Sequence, residues 1–276
     1  MPIIHAIVLG LIQGLSEFLP ISSSGHLLLA PWLFGWNDFS DVSVEKAFDV
    51  ALHLGTLIAV VAYFRADLIV YVRDGLRMIV QKEKPRTTEG RLAWLLVVAS
   101  IPAALFGAIA GNWVDEHLGK PVIIAVSLIG FGLLLAWADR RRGKRKFDEM
   151  NSRDAIVIGL AQVIALNPGT SRSGISISAA RFLGFDRDSA VRFSFLLSVP
   201  VTAGAVAVKL LELFKDGIPE GLVMPMIVGI VTAGISGWLA VAGLLKLIRS
   251  KSFDAFVIYR VIAGVAILAI AASSWR

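Results

Sequence analysis

The sequence contains no cysteine, and only 17% of its 276 residues are charged. The absence of cysteine excludes disulfide bonds, thiolate metal sites and cysteine nucleophiles. A soluble domain usually carries about 25% charged residues, whereas 56% of this chain is hydrophobic and its mean hydropathy is +0.74. This composition excludes an ordinary soluble globule and a disordered chain. We therefore expect a protein that lies in a membrane.

Long apolar runs make up most of the chain. A helix that crosses the hydrocarbon core of a bilayer needs about 20 mostly apolar residues. Six stretches meet this condition, so the sequence predicts an all-α integral membrane protein with six transmembrane helices. The stretches are roughly 47–64, 92–111, 121–138, 190–211, 222–245 and 255–272.

Two further apolar regions, residues 3–34 and 155–185, are interrupted by polar residues, glycine and proline. Each consists of two short apolar arms around a polar centre, which is typical of a re-entrant helix pair. Non-helical backbone at membrane depth is tolerated only where it is buried in protein or lines a cavity. We therefore expect two re-entrant helix pairs beside the six spans.

Basic residues are concentrated in three of the segments between the predicted spans. Loops 65–91, 139–154 and 246–254 together carry 17 Lys and Arg, whereas loops 112–120 and 212–221 carry two. Because cytoplasmic loops carry an excess of Lys and Arg, the basic loops are predicted inside and both termini outside. The first interrupted segment then enters from the outside and the second from the inside.

A weak internal repeat supports two halves of opposite orientation. At an offset of 149 residues, Gly10-Leu11-x-Gln13 aligns with Gly159-Leu160-x-Gln162, and Ser22 aligns with Ser171. We therefore predict a single membrane domain, 1–276, built from two inverted repeats, 1–148 and 151–276. Inverted repeats place their functional site where the broken segments meet, near mid-membrane.

Ionisable residues in the interrupted segments are the first candidates for a functional site, because charges at membrane depth are expensive. In the first segment, Gln13 and Glu17 share one helix face, and His26 follows a hydroxyl-rich loop. In the second segment, Arg172 lies among glycines and hydroxyl groups. The hydroxyls near these charges belong to Ser22, Ser23, Ser24, Thr170, Ser171 and Ser173.

These residue types together indicate an anion site. A guanidinium, several hydroxyls and free backbone N–H groups at a helix start bind phosphate most naturally. The carboxylate of Glu17 would repel phosphate unless it binds a cation or acts on a proton. Mg²⁺ or Ca²⁺ between Glu17 and phosphate oxygens would resolve this conflict, and a serine beside a histidine is a candidate nucleophile and base.

Other charged residues have alternative interpretations. Asp49 and His53, one helical turn apart, fit interfacial or helix-pairing positions as well as a pocket. Arg260 lies within a predicted span, so we expect it to have a buried partner or to reach the interface. Positive-inside anchors are expected at Arg181, Arg187 and Arg192. The basic loops are solvated faces and indicate no nucleic-acid partner.

With these residues in view, the chain resembles the undecaprenyl-pyrophosphate phosphatase family of bacterial inner membranes, known as the bacitracin-resistance type. The resemblance extends over essentially the whole length. Two motifs carry it: Gln13-x-x-x-Glu17-Phe-Leu-Pro-x-Ser-Ser23-x-Gly-His26 and Pro168-Gly-x-Ser171-Arg172-Ser173-Gly174. Gln13 occupies the first position of the family's (Glu/Gln)-x-x-x-Glu motif, so a metal site here would have one formal carboxylate fewer.

The resemblance implies hydrolysis of the C55 isoprenoid pyrophosphate to the monophosphate, which recycles the lipid carrier of cell-wall precursors. It also implies a divalent cation at Glu17, with Gln13 as a further ligand, and a site that opens to the outer face. The resemblance does not decide whether Ser23 or His26 is the attacking group. It implies that Arg172 would bind the pyrophosphate. Further substrate contacts are implied for Gln13, Ser22, Ser24, Thr170, Ser171 and Ser173.

Two other functions remain compatible with the sequence. A lipid-phosphate flippase or transporter would use the same inverted-repeat cavity, and a membrane scaffold would use the polar loops only to bond to each other. Phosphate release in detergent separates an enzyme from a transporter. The small residues Gly229, Ala233 and Gly237 recur at helical spacing, and they would pack helices either within one chain or in a homodimer.

Overall fold

The computed structural model describes residues 1–39, 42–81, 87–217 and 221–273, and within these ranges it is all-helical, without a strand. The predicted all-α class is therefore confirmed. The helices are α1 (Ile3–Phe18), α2 (Ser23–Phe34), α3 (Val42–Tyr63), α4 (Arg65–Gln81), α5 (Thr88–Leu118), α6 (Pro121–Asp139), α7 (Ser152–Val163), α8 (Arg172–Phe182), α9 (Arg187–Asp216), α10 (Val223–Leu247) and α11 (Asp254–Ala272).

Five of the six predicted spans correspond to single helices that are long and apolar enough to cross a membrane, namely α5, α6, α9, α10 and α11. The sixth predicted span, 47–64, lies in α3. This helix continues into α4 with a bend of 84°, and the bent pair counted as one span gives six. The protein is therefore a multi-spanning membrane protein.

The segment 65–91, predicted as a loop, contains the helix α4. Exposed apolar residues recur along one side of α4 at Ile69, Val72, Leu76 and Val80, whereas Tyr71 on another side is buried. The loop prediction was wrong because the basic residues of this segment are interleaved with an apolar stripe of helical period. The basic residues Lys82, Lys84 and Arg86 lie outside the described residues.

The two interrupted segments form pairs of short helices. The break between α1 and α2 contains Pro20, and a 3-10 turn at Ile164–Leu166 separates α7 from the loop before α8. The longest of these four helices, α1, has 16 residues and is therefore about 24 Å long, less than the roughly 30 Å hydrocarbon core. None of the four spans alone, and the re-entrant path stays a prediction.

The helices of the two halves pack in a corresponding pattern. Helix α1 packs on α10 and α7 packs on α5, and in the same way α3 packs on α10 and α9 packs on α5. Each half thus packs its first helix and its first span on the second span of the other half. This pattern supports the inverted repeats, 1–148 and 151–276, which stay a prediction.

Small residues allow α1 and α3 to approach α10 closely. A Cβ atom added to Gly237 would lie 3.3 Å from the ring of Phe18 and from Thr56 Cγ2, and Ala233 is fully buried. The stripe Gly229, Ala233 and Gly237 therefore packs within one chain. The homodimer stays a prediction that does not depend on this stripe.

Candidate active site

Two serines cap the helices that follow the breaks. Ser22 and Ser171 have φ angles of 78° and 75°, a region that residues other than glycine rarely adopt. The hydroxyl of Ser22 accepts a hydrogen bond from the N–H of Gly25 at 3.4 Å, and that of Ser171 accepts one from Gly174 at 3.1 Å. The serines aligned by the repeat therefore have the same conformation and the same capping role.

The starts of α2 and α8 converge. Ser23 is the first residue of α2 and Arg172 the first of α8. The hydroxyl of Ser22 also accepts the N–H of Gly169 at 3.0 Å, and a Cβ atom on Gly25 would lie 3.1 Å from Gly169 N. Helix N-termini carry partial positive charge and N–H groups without intrahelical partners. Their meeting point favours an anion.

Glu17 is the centre of the site. Its carboxylate is buried and forms an ion pair with Arg172 of the other half of the chain. It also accepts hydrogen bonds from Ser23 Oγ at 2.5 Å and from Gln13 Nε2 at 3.2 Å. The structure thus brings together four residues that the sequence singled out, and His53 Nε2 lies 3.7 Å from the same carboxylate.

Two residues of this cluster were not predicted as site residues. Arg172 Nη1 donates a hydrogen bond to Thr202 Oγ1 of α9 at 2.8 Å. His53 holds its Nδ1 atom against the carbonyl of Asp49 at 2.8 Å, which turns Nε2 toward Glu17. The sequence signal for His53 was an ionisable group inside a predicted span, whereas a threonine in an apolar helix gives no such signal.

His26 is held away from Ser23. Its Nδ1 atom lies 2.7 Å from the carbonyl oxygen of Ser22, and its Nε2 atom lies 2.7 Å from the hydroxyl of Tyr259. Because a carbonyl only accepts, Nδ1 carries a proton here, and in the neutral ring Nε2 accepts from Tyr259. In this structure the Ser23 hydroxyl faces Glu17 and the Ser22 carbonyl fixes the imidazole elsewhere, and the expected serine–histidine pair stays a prediction.

Most of the predicted phosphate-binding hydroxyls hold the loops together. Ser22 and Ser171 are the caps described above. Ser173, which is buried, donates to the carbonyl at the end of α1 at 3.2 Å. Thr170 is fully buried and accepts a hydrogen bond within its own loop at 3.2 Å. Ser24 is exposed and lies outside the Glu17 cluster, so the substrate contacts of these five side chains stay predictions.

Arg260 joins both loops to α6. Its side chain is fully buried, and no carboxylate pairs with it among the described residues. Its guanidinium instead donates to the carbonyls of Pro20, Ser127, Leu128, Gly169 and Thr170 at 2.8–3.4 Å. The expectation of buried partners is confirmed, and the partners are backbone carbonyls from three segments.

A cation at this site would find few protein ligands. In the described ranges, no three acidic, histidine or cysteine side chains converge as a metal site. However, the Oε1 atom of Gln13 is buried and has no hydrogen-bond partner among the described residues, and the Nε2 atom of the same amide lies 3.2 Å from the carboxylate of Glu17. Two such oxygens fit Mg²⁺, which is commonly bound by one or two carboxylates together with substrate phosphates and water.

Comparison with known proteins gives consistent matches. Residues 6–266 match the family described as bacitracin resistance protein BacA. The chain is 48% identical over 271 residues to a protein of Geobacter sulfurreducens named undecaprenyl-diphosphatase, with 98% of each chain covered. Proteins of the same name from Moorella thermoacetica and Hahella chejuensis are 46% and 43% identical, and the alignments cover at least 96% of every chain.

Proposed function

Because the chain belongs to the family of the bacitracin resistance protein BacA, we propose that it is an undecaprenyl-diphosphatase. It hydrolyses undecaprenyl pyrophosphate to undecaprenyl monophosphate and inorganic phosphate, which returns the lipid carrier to cell-wall synthesis. One observation carries the chemistry: Glu17, Ser23 and Arg172 meet where two helices begin. This arrangement offers a nucleophile, a base and a cation to an anionic substrate.

Ser23 is the proposed nucleophile. Its oxygen attacks the terminal phosphorus, the bond from that phosphorus to the bridging oxygen breaks, and undecaprenyl monophosphate leaves. The proton of the hydroxyl passes to Glu17, whose carboxylate accepts its hydrogen bond at 2.5 Å. Water then attacks the phosphoserine, releases inorganic phosphate and restores the hydroxyl of Ser23.

Arg172 binds the transferring phosphoryl group. In the structure its guanidinium is shared between Glu17 and Thr202, and pyrophosphate oxygens would compete for the same N–H groups. When Arg172 moves from Glu17 to the substrate, the carboxylate would be free to accept the proton of Ser23. The guanidinium and the two helix starts would then stabilise the negative charge of the transition state.

His26 is proposed to act at the leaving oxygen. Both of its nitrogens are engaged, with Ser22 and Tyr259, and this supports Ser23 rather than His26 as the attacking group. Tyr259 on the Nε2 side is the group through which the imidazole would exchange a proton. Glu17 and the carbonyl of Gln13 would hold a divalent cation, Mg²⁺ or Ca²⁺, which when bound neutralises phosphoryl oxygens.

We also propose the orientation that the basic loops favour. The protein would lie in the bacterial plasma membrane with both termini and the site opening on the outer side. The isoprenoid tail would lie among apolar side chains that α6 and α11 expose, such as Val126, Leu133, Ile258 and Ile262. The relatives are named for hydrolysis, and no observation favours the flippase or transporter.

Phosphate release from undecaprenyl pyrophosphate by the purified protein in detergent tests this function. Ser23→Ala should lower turnover by about 10³-fold or more, because it removes the nucleophile. Ser250→Ala is the matched control, since it deletes a serine hydroxyl at an exposed position after α10, outside the Glu17 cluster and outside the predicted substrate contacts. We expect this control to keep turnover within about twofold of the wild type.

The outcomes separate the function from the residue assignment. If the wild type releases no phosphate in detergent, where no second compartment exists, the hydrolase fails and a transporter gains support. If Ser23→Ala turns over at the wild-type rate, the site stands but Ser23 is not its nucleophile. A thermal unfolding curve of each variant shows whether the loss reflects stability, which is what a scaffold would predict.

A further inference from the structure

A basic cavity lies at the end of α8 remote from Arg172. Its volume is about 990 Å³, and it lies where α6 and α8 end and α9 begins. The carbonyl of Leu128 in α6 accepts a hydrogen bond from Arg260, which holds the loops beside the Glu17 cluster. From Leu128 the helix continues for eleven residues, a rise of about 16 Å along its axis, to Asp139 at the cavity. The cavity is therefore separate from the Glu17 cluster. Its basic lining residues include Arg140, Arg141, Arg142, Lys146, Arg181 and Arg187.

The carboxylate of Asp139, on the cavity wall, is already neutralised. Arg187 donates to it through Nε at 2.6 Å and Nη2 at 2.8 Å, and Arg181 Nε lies 3.6 Å from it. The backbone N–H of Phe253 adds a further hydrogen bond at 3.2 Å. Arg181 is 4% exposed, and its Nε has no hydrogen-bond partner in the part of the chain that the structure describes.

The wall has three other acidic residues, Asp148, Asp186 and Asp188, and the last two are likewise paired. Asp186 accepts a hydrogen bond from Lys146 at 2.6 Å, which raises the pKa of the Lys146 ammonium so that it stays charged. Asp188 lies 4.0 Å from Arg249. Asp148 is therefore the wall carboxylate left to offset the three arginines at 140–142, hereafter the arginine run. With seven Lys and Arg against four Asp, the lining keeps a net positive charge.

The arginine run lies on a fixed turn. A Cβ atom added to Gly143 would lie 2.7 Å from the carbonyl oxygen of Gly184, so the two backbones are in contact. Arg145 N donates to the same carbonyl at 3.0 Å, and Asp186 N donates to the carbonyl of Arg145 at 3.0 Å. The guanidinium groups of the run therefore extend from a backbone that is already ordered, which lowers the entropic cost of binding.

A tryptophan indicates the depth of the cavity in the membrane. Trp137 is 56% exposed, and the guanidinium of Arg141 lies over its ring at 5.7 Å. Exposed tryptophan next to arginine is typical of the level of the lipid headgroups. The cavity therefore opens where the phosphates of the bilayer lie, on the face that the basic loops predict to be inside.

We propose that this cavity binds the phosphate group of an anionic phospholipid headgroup through the arginine run. Guanidinium groups bind phosphate with paired hydrogen bonds, and basic pockets between spans at the cytoplasmic side suit anionic headgroups. The proposal does not depend on the proposed hydrolysis, because no residue of the Glu17 cluster lines the cavity.

Lipid binding by the purified full-length protein in detergent tests this proposal. Phosphatidylglycerol bound per protein is measured by native mass spectrometry, with phosphatidylcholine and inorganic phosphate as the comparison ligands. Replacement of all three arginines of the run (R140Q, R141Q, R142Q) should weaken phosphatidylglycerol binding by about tenfold or more. The matched control is R153Q, K246Q and K251Q, which removes the same charge from exposed positions of the same face outside the cavity.

We expect the control to bind phosphatidylglycerol as the wild type does. Equal losses in both triple variants would overturn the proposal, because the attraction would then be that of net charge alone. Equal binding of phosphatidylcholine would also overturn it. If inorganic phosphate binds through the arginine run and lipid does not, the ligand of the cavity is free phosphate and the headgroup proposal is wrong. A matching thermal unfolding midpoint of both variants shows that the comparison concerns folded protein.

Discussion

Glu17 owes its buried position to its partners. A lone carboxylate in a low-dielectric interior costs several kcal/mol, and this one is held by a guanidinium, a hydroxyl and an amide. Each partner is also a proposed contact of the phosphate substrate, so under this proposal stability and chemistry depend on the same contacts. Replacement of a partner by a residue of equal charge therefore tests geometry apart from charge.

Arg172→Lys should lower kcat/KM by about 10²-fold while it keeps the positive charge. The planar guanidinium of arginine donates to Glu17 and Thr202 together, and a lysine ammonium cannot present this forked set of N–H groups. It therefore also cannot bind two phosphate oxygens in the same paired geometry. Steady-state phosphate release measures the effect. Thr202→Val, which removes one neutral partner of the same guanidinium, should cost less than about tenfold. Wild-type kcat/KM for Arg172→Lys would contradict the role of the fork.

At the residue scale, the rarity of charge in apolar segments was an effective guide. It selected Glu17 and Arg172, which the structure joins across 155 residues of sequence. It did not select Thr202, because a threonine in an apolar helix resembles a packing residue. It also suggested a serine–histidine pair, whereas in this structure Ser23 donates to Glu17 and His26 faces the Ser22 carbonyl. Spacing along a helix does not reveal which carbonyl or hydroxyl an imidazole faces.

The short helices α2 and α8 depend on their serine caps. Ser22 satisfies N–H groups of both loops, and it does so from a φ angle of 78° that is unfavourable for any residue with a Cβ atom. At Ser22 the hydrogen bonds of the cap therefore stabilise the folded protein, whereas the strained backbone destabilises it. Substitutions can separate the two contributions, since glycine removes both and alanine removes only the cap.

Ser22→Ala should destabilise the protein more than Ser22→Gly. Both lose the cap, at a cost of about 1 kcal/mol, but alanine retains the backbone strain that glycine relieves, a further difference of about 1 kcal/mol. The midpoint of thermal unfolding should therefore fall for the alanine variant and stay close to that of the wild type for the glycine variant. An alanine variant at least as stable as the glycine variant would show that the strain at Ser22 is negligible.

Hydropathy predicted the long elements well and the amphipathic one badly. Five spans follow from apolar runs that match single helices. Helix α4 was missed because it buries only a narrow face with Tyr71 and exposes Ile69 and Val72, so its composition resembles a basic loop. The caps at Ser22 and Ser171 were visible only as aligned serines, since a sequence does not display φ.

At the scale of the whole molecule, close packing of α1, α3 and α10 supports the first loop. A Cβ atom added to Gly237 would contact Phe18, the residue after Glu17, as well as Thr56 and Ala59. A larger residue at this point would separate the helices and shift the carboxylate. The same helix carries Gly243, around which no atom of the described residues lies within 4 Å of an added Cβ.

Gly237→Leu should destabilise the protein by about 1–3 kcal/mol, the usual cost of overpacking, and reduce phosphate release with it. Gly243→Leu makes the same substitution on the same helix at an open position, and we expect an unfolding midpoint and activity close to the wild type. Thermal unfolding and turnover measured side by side check both. Equal behaviour of the two variants would contradict the packing role of Gly237.

The sequence predicted the division of the molecule into two halves but not the contacts between their helices. The offset of 149 residues and the basic loops predicted two inverted halves, and the matching contacts of α1 with α10 and of α7 with α5 support them. Which helix of one half lies on which helix of the other does not follow from hydropathy. Glycines such as Gly14 and Gly159 permit backbone contact between helices. The sequence alone does not indicate which helix each of them contacts.

The ion pair between Glu17 and Arg172 also has a consequence for biosynthesis. The two residues are 155 positions apart, and at about 5–20 residues per second a ribosome needs roughly 8–30 s to reach the second after the first. The nascent chain therefore carries the Glu17 carboxyl without its guanidinium while several helices are made. Until Arg172 emerges, the first half must keep this carboxyl protonated, hydrated or covered by the insertion machinery.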